Sequence, residues 1–390
     1  MRIVYFILFS SFLLYSCRNG TNGDLMEILV DIGKNSPLLL TEITEEFTAI
    51  ELELTEESMI NPDLIRKVLL CDSFVFVLDE QMLVFDRKGK FIRSIGSKGQ
   101  GPGEYIFIQS FTFDEKNKII YIINNRSQII GYDLNGNFIK ELSMKNLNGG
   151  RGGQILSIEC FNNELLLLVE SIIEKQDNKN EKLLCYHSVL YKINNEMQFM
   201  DSCSIRDDNF EITFSKGRLD EYLMCNKSDI YLYYPELNSF YINFTPQLSQ
   251  RLGTIKRVLQ DTLYRFENNQ LIPELKLKFK RNGRDYNGDK NVQLHKIYRS
   301  LRYIFAVYST ALDRESKFLF CYDTETGISY NALKYKDDFN NIEELVEGRP
   351  YRPIRPMSNN TELFYYWRTH IKPDDLAEPN PTLYIGKLKK

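Results

Sequence analysis

The sequence predicts an all-β protein built as a six-bladed β-propeller, with the ring closed by pairing between strands from the two chain ends. Three observations carry that expectation. First, runs of about four to eight apolar or alternating residues, rich in aromatic and β-branched types, recur between Asn, Asp and Gly clusters along most of the 390 residues. Second, Val75-Phe76-Val77-Leu78-Asp79, Leu83-Val84-Phe85-Asp86, Gly89 and Phe91-Ile92-Arg93 are echoed by Tyr121-Ile122-Ile123-Asn124, Ile129-Ile130-Gly131-Tyr132-Asp133, Gly136 and Phe138-Ile139-Lys140. Asp86 to Asp133, Gly89 to Gly136 and Phe91 to Phe138 are each 47 residues apart, a period typical of propeller blades. Third, the isolated strand pattern Phe47 to Leu54 precedes the first full repeat. It is placed to complete a last blade beside Leu363-Phe364-Tyr365-Tyr366-Trp367 and Thr382 to Gly386, as ring closure commonly requires.

Each repeat reads as a hairpin. In Asp86-Arg87-Lys88-Gly89 and Asp133-Leu134-Asn135-Gly136 the Asp can bond back to the local backbone, and the Gly accepts a positive φ without a Cβ clash. Fainter echoes follow at Leu190 to Asn195, Thr262 to Asn269 and Phe320 to Gly327. Residues 170–184, 205–218 and 280–294, charged, Asn-rich or Gly-containing, read as enlarged loops. About 340 residues, at roughly 45 to 55 per blade, give a count near six.

The N-terminus reads as an export signal. Arg2 is a positive start, Ile3 to Tyr15 is apolar, and Leu14-Tyr15-Ser16-Cys17 ends the run. The apolar run is short for a helix crossing a core of about 30 Å, and polar Arg18 to Asn22 follows at once. The segment resembles a bacterial lipobox, which implies cleavage before Cys17 and lipid on that cysteine; an ordinary signal peptide cut nearby is the other reading. The domain expectation is a signal peptide over 1–16, a lipidated tether over 17–40 and the propeller over 41–390. No acidic tag directly follows Cys17, which favours the periplasmic side of the outer membrane and leaves the exterior open.

A formal charge of −4 with both signs interspersed excludes a basic stripe for nucleic acid. Cys71, Cys160, Cys185, Cys203, Cys225 and Cys321 are widely spaced without a Cys-x-x-Cys pair, so they read as small core residues, with one or two disulfides left open.

The Val77-Leu78-Asp79 strand, the Phe85-Asp86-x-x-Gly89 turn and the decapeptide Gly96-Ser97-Lys98-Gly99-Gln100-Gly101-Pro102-Gly103-Glu104-Tyr105 together make the chain similar to the six-bladed β-propeller lipoproteins of Bacteroidetes, relatives of NHL-repeat propellers. Asn380 to Gly386 with Lys387 to Lys390 resembles the way those proteins end. The resemblance is strongest over 45–142 and weaker over 155–290. It implies a propeller on an envelope lipoprotein and carries over no catalytic residue.

The Gly96, Gly99, Gly101, Pro102, Gly103, Glu104 and Tyr105 segment has the glycines of a phosphate loop but lacks a Gly-Lys-Ser/Thr ending and a following helix, so it reads as a blade-to-blade connection with Tyr105 packed beneath. His187, His295 and His370 lie far apart, without metal-ligand spacing. Asp285-Tyr286-Asn287-Gly288-Asp289 resembles a calcium loop, but its Gly comes early and the closing Glu is missing, so a solvated turn is expected. Arg349, Tyr351, Arg352 and Arg355, interleaved with prolines, form the ligand-binding candidate, because Arg beside aromatic rings suits carboxylate or sugar recognition. The competing reading is a Pro-stiffened loop whose guanidiniums bond local carbonyls. The expectation is a membrane-anchored, non-catalytic module for a peptide, glycan or envelope-protein partner, with no cofactor and no metal. The alternative is an envelope hydrolase or lyase using groups in the propeller channel.

Overall fold

A computed structural model describes residues 25–124, 128–144, 154–176, 182–211, 229–234, 239–243, 261–267, 270–286, 292–310, 313–333, 335–340, 342–343, 354–369 and 379–390. The strands form six blades. Blade 1 runs outward from the channel through Lys67–Leu70, Phe74–Leu78, Met82–Asp86 and Phe91–Ile95. Blade 2 follows with Ile108–Asp114, Ile119–Asn124, Gln128–Asp133 and Phe138–Ser143. Blade 3 has Gln154–Phe161, Glu164–Gln176, Lys182–Ile193 and Phe199–Glu211. Blade 4 has Asp229–Tyr234, Ser239–Asn243, Thr262–Glu267 and Gln270–Arg281. Blade 5 has Val292–Arg299, Tyr303–Thr310, Asp313–Asp323 and Ser329–Ala332.

Blade 6 joins the chain ends. Its strands Arg355–Met357, Asn360–Arg368 and Thr382–Leu388 are completed at the outer edge by Thr44–Glu51. Phe47 pairs with Gly386 and Ile50 with Leu383, antiparallel. The closing strand expected from the sequence is therefore present, and it turns an open row of sheets into a ring.

The core lies between blades. Strand side chains alternate between the two faces of a sheet, and a blade has a neighbour on each face, so its runs are apolar on both. Phe85 and Val77 face Tyr365 and Trp367 of blade 6, while Phe76 and Val84 face Phe111 and Ile122 of blade 2. The same arrangement recurs at each junction around the ring. Burying each such side chain contributes about 1.5–3 kcal/mol.

Turn chemistry explains the repeat. Asp86 Oδ1 accepts from the Lys88 and Lys90 amides at 2.8 and 2.9 Å, and Asp133 Oδ1 accepts from Asn135 and Asn137 at 2.8 Å each. Gly89 and Gly136 stand at φ +88° and +82°. Blade 5 repeats the device, with Asp323 receiving the Glu325 amide and Gly327 at φ +72°. In blade 3, Asn194 replaces the Asp and Met197 takes the positive φ, at +63°. Each echo seen in the sequence contains the third strand of a blade, and in blades 1, 2, 3 and 5 that strand is followed by this turn.

Two expectations are corrected. The tether does not extend to residue 40. Met26–Asp31 is a strand paired in parallel with Gln270–Arg281, adding to the outer edge of blade 4. Leu38–Leu39 then pairs with Tyr335–Asp337, and Leu38, Leu40 and Ile43 are buried between blades 5 and 6. The reason is alternation: Ile28 and Val30 point inward while Glu27 and Leu29 point out. Residues 170–184 are for most of their length a hairpin, paired from Glu170–Ser188 to Gln176–Lys182, and residues 205–211 continue the outer strand. A strand that outgrows its neighbours can carry charge, so charge alone did not mark a loop there.

Candidate functional site at the channel mouth

Inner strands all start at the same end of the channel, so residues that open them gather there. Arg66 lies just before Lys67–Leu70 of blade 1, Phe107 just before Ile108–Asp114 of blade 2, and Arg355 opens the inner strand of blade 6. The Arg66 guanidinium lies 4.1 Å from the Phe107 ring centroid, and that of Arg355 lies 4.7 Å from the Trp367 ring centroid. Trp367 is itself fixed, its indole N–H donating to Pro62 O at 3.0 Å.

The two arginines touch through the backbone. Arg355 Nη1 donates to the carbonyls of Ile65 and Arg66 at 3.2 and 3.3 Å, and Arg66 donates to the carbonyls of Ile108 and Asp79. Burial pulls the Arg66 pKa downward, against the opposing charges of Asp79 and Glu80. Neither arginine has a carboxylate ion-pair partner among the described residues. Asp79 spends its oxygens on the amides of Asn61 and Gln81, at 3.1 and 2.9 Å, and Glu80 pairs with Lys98 at 3.2 Å.

Deeper along the channel side of blade 2, Lys67 Nζ meets Glu159 Oε1 of blade 3 at 2.6 Å and donates to Phe111 O at 2.7 Å. Thr112 donates to the other Glu159 oxygen at 3.3 Å. Only 2% of the Glu159 side chain is exposed, and burial pushes its carboxyl above the ordinary range, opposed by Lys67, Ser358 and Thr112. The cluster ties blades 1, 2 and 3 together, with the Glu159 carboxylate closed to solvent.

The family model for a domain of unknown function, DUF4934, matches residues 26–383. The chain belongs to the DUF4934 family. Solved structures with the same architecture include a Bacteroides fragilis NCTC 9343 protein described as a candidate exported protein, with TM-score 0.60 and 14% identity over 94% of this chain and 100% of that one. A member of the DUF4221 family from Bacteroides vulgatus ATCC 8482 aligns with TM-score 0.51 and 10% identity, over 89% of this chain and 97% of that one. At such identities the likeness shows the fold. No curated protein is a significant match.

In this DUF4934 member the sequence-predicted residues are spread unevenly. Cys17, Arg349, Tyr351 and Arg352 lie outside the described residues, as do His370, Cys225 and the Asn287 to Asp289 part of the acidic loop. Arg355 is at the mouth, bonding to backbone carbonyls of blade 1, across the seam from its own blade. Arg66, Phe107 and Trp367 were missed; for Arg66 and Phe107 the available signal was position, since the residues that open each inner strand border the channel mouth, whereas Trp367 lies near the end of the second strand of blade 6.

The decapeptide joins blade 1 to blade 2. Ser97–Lys98 pairs in parallel with Glu104–Tyr105, and Tyr105 is buried against the core between these blades, its phenol pushed up to about 12 by desolvation. Glu104 Oε2 accepts the Gly101 amide at 2.7 Å, so the protein's own carboxylate fills the glycine loop. Cys71, Cys160, Cys203 and Cys321 are free thiols. Among the described residues no three His, Cys, Asp or Glu side chains gather as a metal site, and no helix is long and apolar enough to cross a membrane.

Proposed function

We propose that the chain is an exported lipoprotein, cut before Cys17 and held by lipid at the bacterial outer membrane, whose propeller binds a peptide, glycan or protein partner without catalysing a reaction. The observation that carries the binding reading is the channel mouth, where two half-buried arginines stand on aromatic rings with no carboxylate partner among the described residues. Guanidiniums that make no carboxylate ion pair within the protein can take one from a ligand. The export reading rests on the N-terminal run ending at Cys17 and is supported by the likeness to a Bacteroides protein described as a candidate exported protein.

A hydrolase or lyase would need its acid in reach of substrate. Glu159 has the raised pKa such chemistry uses, but its carboxylate is spent on Lys67 and Thr112 and closed to solvent, which favours binding.

Two measurements test the proposal. Cells fed labelled palmitate should label the full chain but not Cys17→Ser, and equal labelling of both would end the anchor reading. The folded domain starting at residue 25 should gain thermal stability from one member of a panel of peptides, glycans and divalent metals, because a ligand selective for the native state raises Tm by mass action. A panel with no shift tells against binding, and a metal hit with turnover would restore the enzyme.

A further inference from the structure

We infer that Arg66 and Arg355 recognise a carboxylate of an acidic peptide whose neighbouring side chains are apolar, an inference that rests on the binding reading above. Arg355 uses only Nη1 in its bonds to Ile65 and Arg66; its Nε and Nη2 groups make no hydrogen bond to the described residues. These groups lie on the edge of a planar fork that matches the two oxygens of a carboxylate. The ring of Trp367 and the carbonyls of Ile65 and Arg66 hold the guanidinium before any ligand arrives, so little side-chain freedom is lost on binding. Arg66 supplies a second positive charge alongside, fixed on Phe107. Asp79 and Glu80 offset part of that charge without forming an ion pair with Arg66, their oxygens being held by the Asn61 and Gln81 amides and by Lys98.

The surroundings select the ligand class. Met59, Leu64, Ile106 and Phe107, in the two connections that deliver Arg66 and Phe107 to the mouth, are exposed by 63, 40, 47 and 45%. Apolar side chains of this kind gain from burial against apolar peptide side chains. A polyhydroxylated sugar would instead want an open aromatic platform, yet Trp367 is only 3% exposed and Phe107 carries Arg66.

Trp367 is the single tryptophan of the chain, so its emission reports on this site in the unlabelled protein. The probes are the capped pentapeptide Leu-Glu-Leu-Glu-Leu, its Leu-Gln-Leu-Gln-Leu counterpart and polygalacturonate. The acidic peptide should shift Trp367 emission saturably and the amide peptide should not. Arg355→Gln should weaken binding by about tenfold or more, and Arg355→Lys should lie between, because charge without the fork recovers only part of the recognition. Arg66→Gln, with Tm recorded for each variant, guards against a fold defect in the Arg355 change.

Equal response to both peptides, or wild-type affinity in Arg355→Gln and Arg66→Gln, overturns the site. Polygalacturonate acting where the acidic peptide does not overturns the peptide class. Silence of Trp367 toward all three, with a ligand in the thermal panel binding elsewhere, sinks this inference alone; a blank panel takes the binding reading with it.

Discussion

At the scale of single residues, an inward-facing ion pair and a partly buried histidine make opposite demands on the fold. Lys67 and Glu159 compensate each other across blade 2. Breaking a buried pair leaves a charge without its partner and costs about 3–5 kcal/mol, whereas replacing both ions by apolar groups is often close to neutral. Lys67→Met should therefore lower unfolding free energy by about that amount in urea titrations, and Lys67→Met with Glu159→Leu should recover most of it. A double variant as weak as the sum of the singles would show that the pair is not coupled. His295, on the inner strand of blade 5 with Nε2 3.0 Å from Ser309 Oγ, is the contrary case. Burial, aided by Lys317, pushes its pKa down to about 4. The unfolded chain, with a His pKa near 6.5, binds more protons between these values, so this group's contribution to stability is intact above pH about 6.5 and is lost as pH falls toward about 4, by about 3 kcal/mol. His295→Asn should flatten that part of the pH–stability curve, and an unchanged slope would remove His295 as its source.

At the scale of elements, the turns were the most legible part of the sequence because their chemistry is local. An Asp that accepts two amides and a Gly three residues later specify a hairpin without reference to the rest of the chain, which is why Asp86 and Asp133 could be aligned by spacing alone, while Asp323, with its Gly four residues on, gave a fainter echo. What the sequence does not display is what lies against each turn. At Gly89 an added Cβ would come within 1.9 Å of the Glu51 carbonyl oxygen, on the closing strand of blade 6, whereas at Gly283, also at positive φ, nothing lies within 4 Å. Gly283→Ala should cost about 1 kcal/mol, the backbone preference alone, and Gly89→Ala about 3 kcal/mol, since the seam between blades 6 and 1 must also shift. Equal losses in the two variants would mean that the seam yields freely. The channel mouth was half legible for a related reason. Arg355 stood out through its Pro and Arg neighbours, but Arg66 gains its meaning only from Phe107, 41 positions later, through a contact between blades. The extension of blade 3 was misread because its charges resemble those of a loop, while the pairing that makes it a hairpin is set by the partner strand.

At the scale of the whole molecule, the 47-residue offset and the orphan strand at Phe47 were enough for ring closure, because a propeller places the first and last strands in one blade. The segment before that strand was misassigned because its alternation is short and its partners are over 200 residues away, Leu275 to Lys280 and Tyr335 to Lys336. It acts as a strap over three blades: Met26–Asp31 on blade 4, Ser36 bonded to Asn331 on blade 5, and Leu40 and Ile43 packed toward blade 6. Asn331 holds it from the blade side, its amide donating to Asp31 O and Lys34 O while its carbonyl accepts from Tyr308. The strap and the closing strand therefore make separable contributions. A chain shortened to start at Thr44 keeps the ring closed but uncovers the outer strand of blade 4 and the gap between blades 5 and 6; it should still unfold cooperatively, with Tm lower by on the order of 10 °C. A chain starting at Leu52 leaves Thr382–Leu388 with an open edge and removes Ile50 from the seam with blade 1. It should lose the cooperative transition and aggregate, because an unpaired apolar edge is a template for further strands. If both shortened chains melted alike, closure by the N-terminal strand would not be what holds the ring.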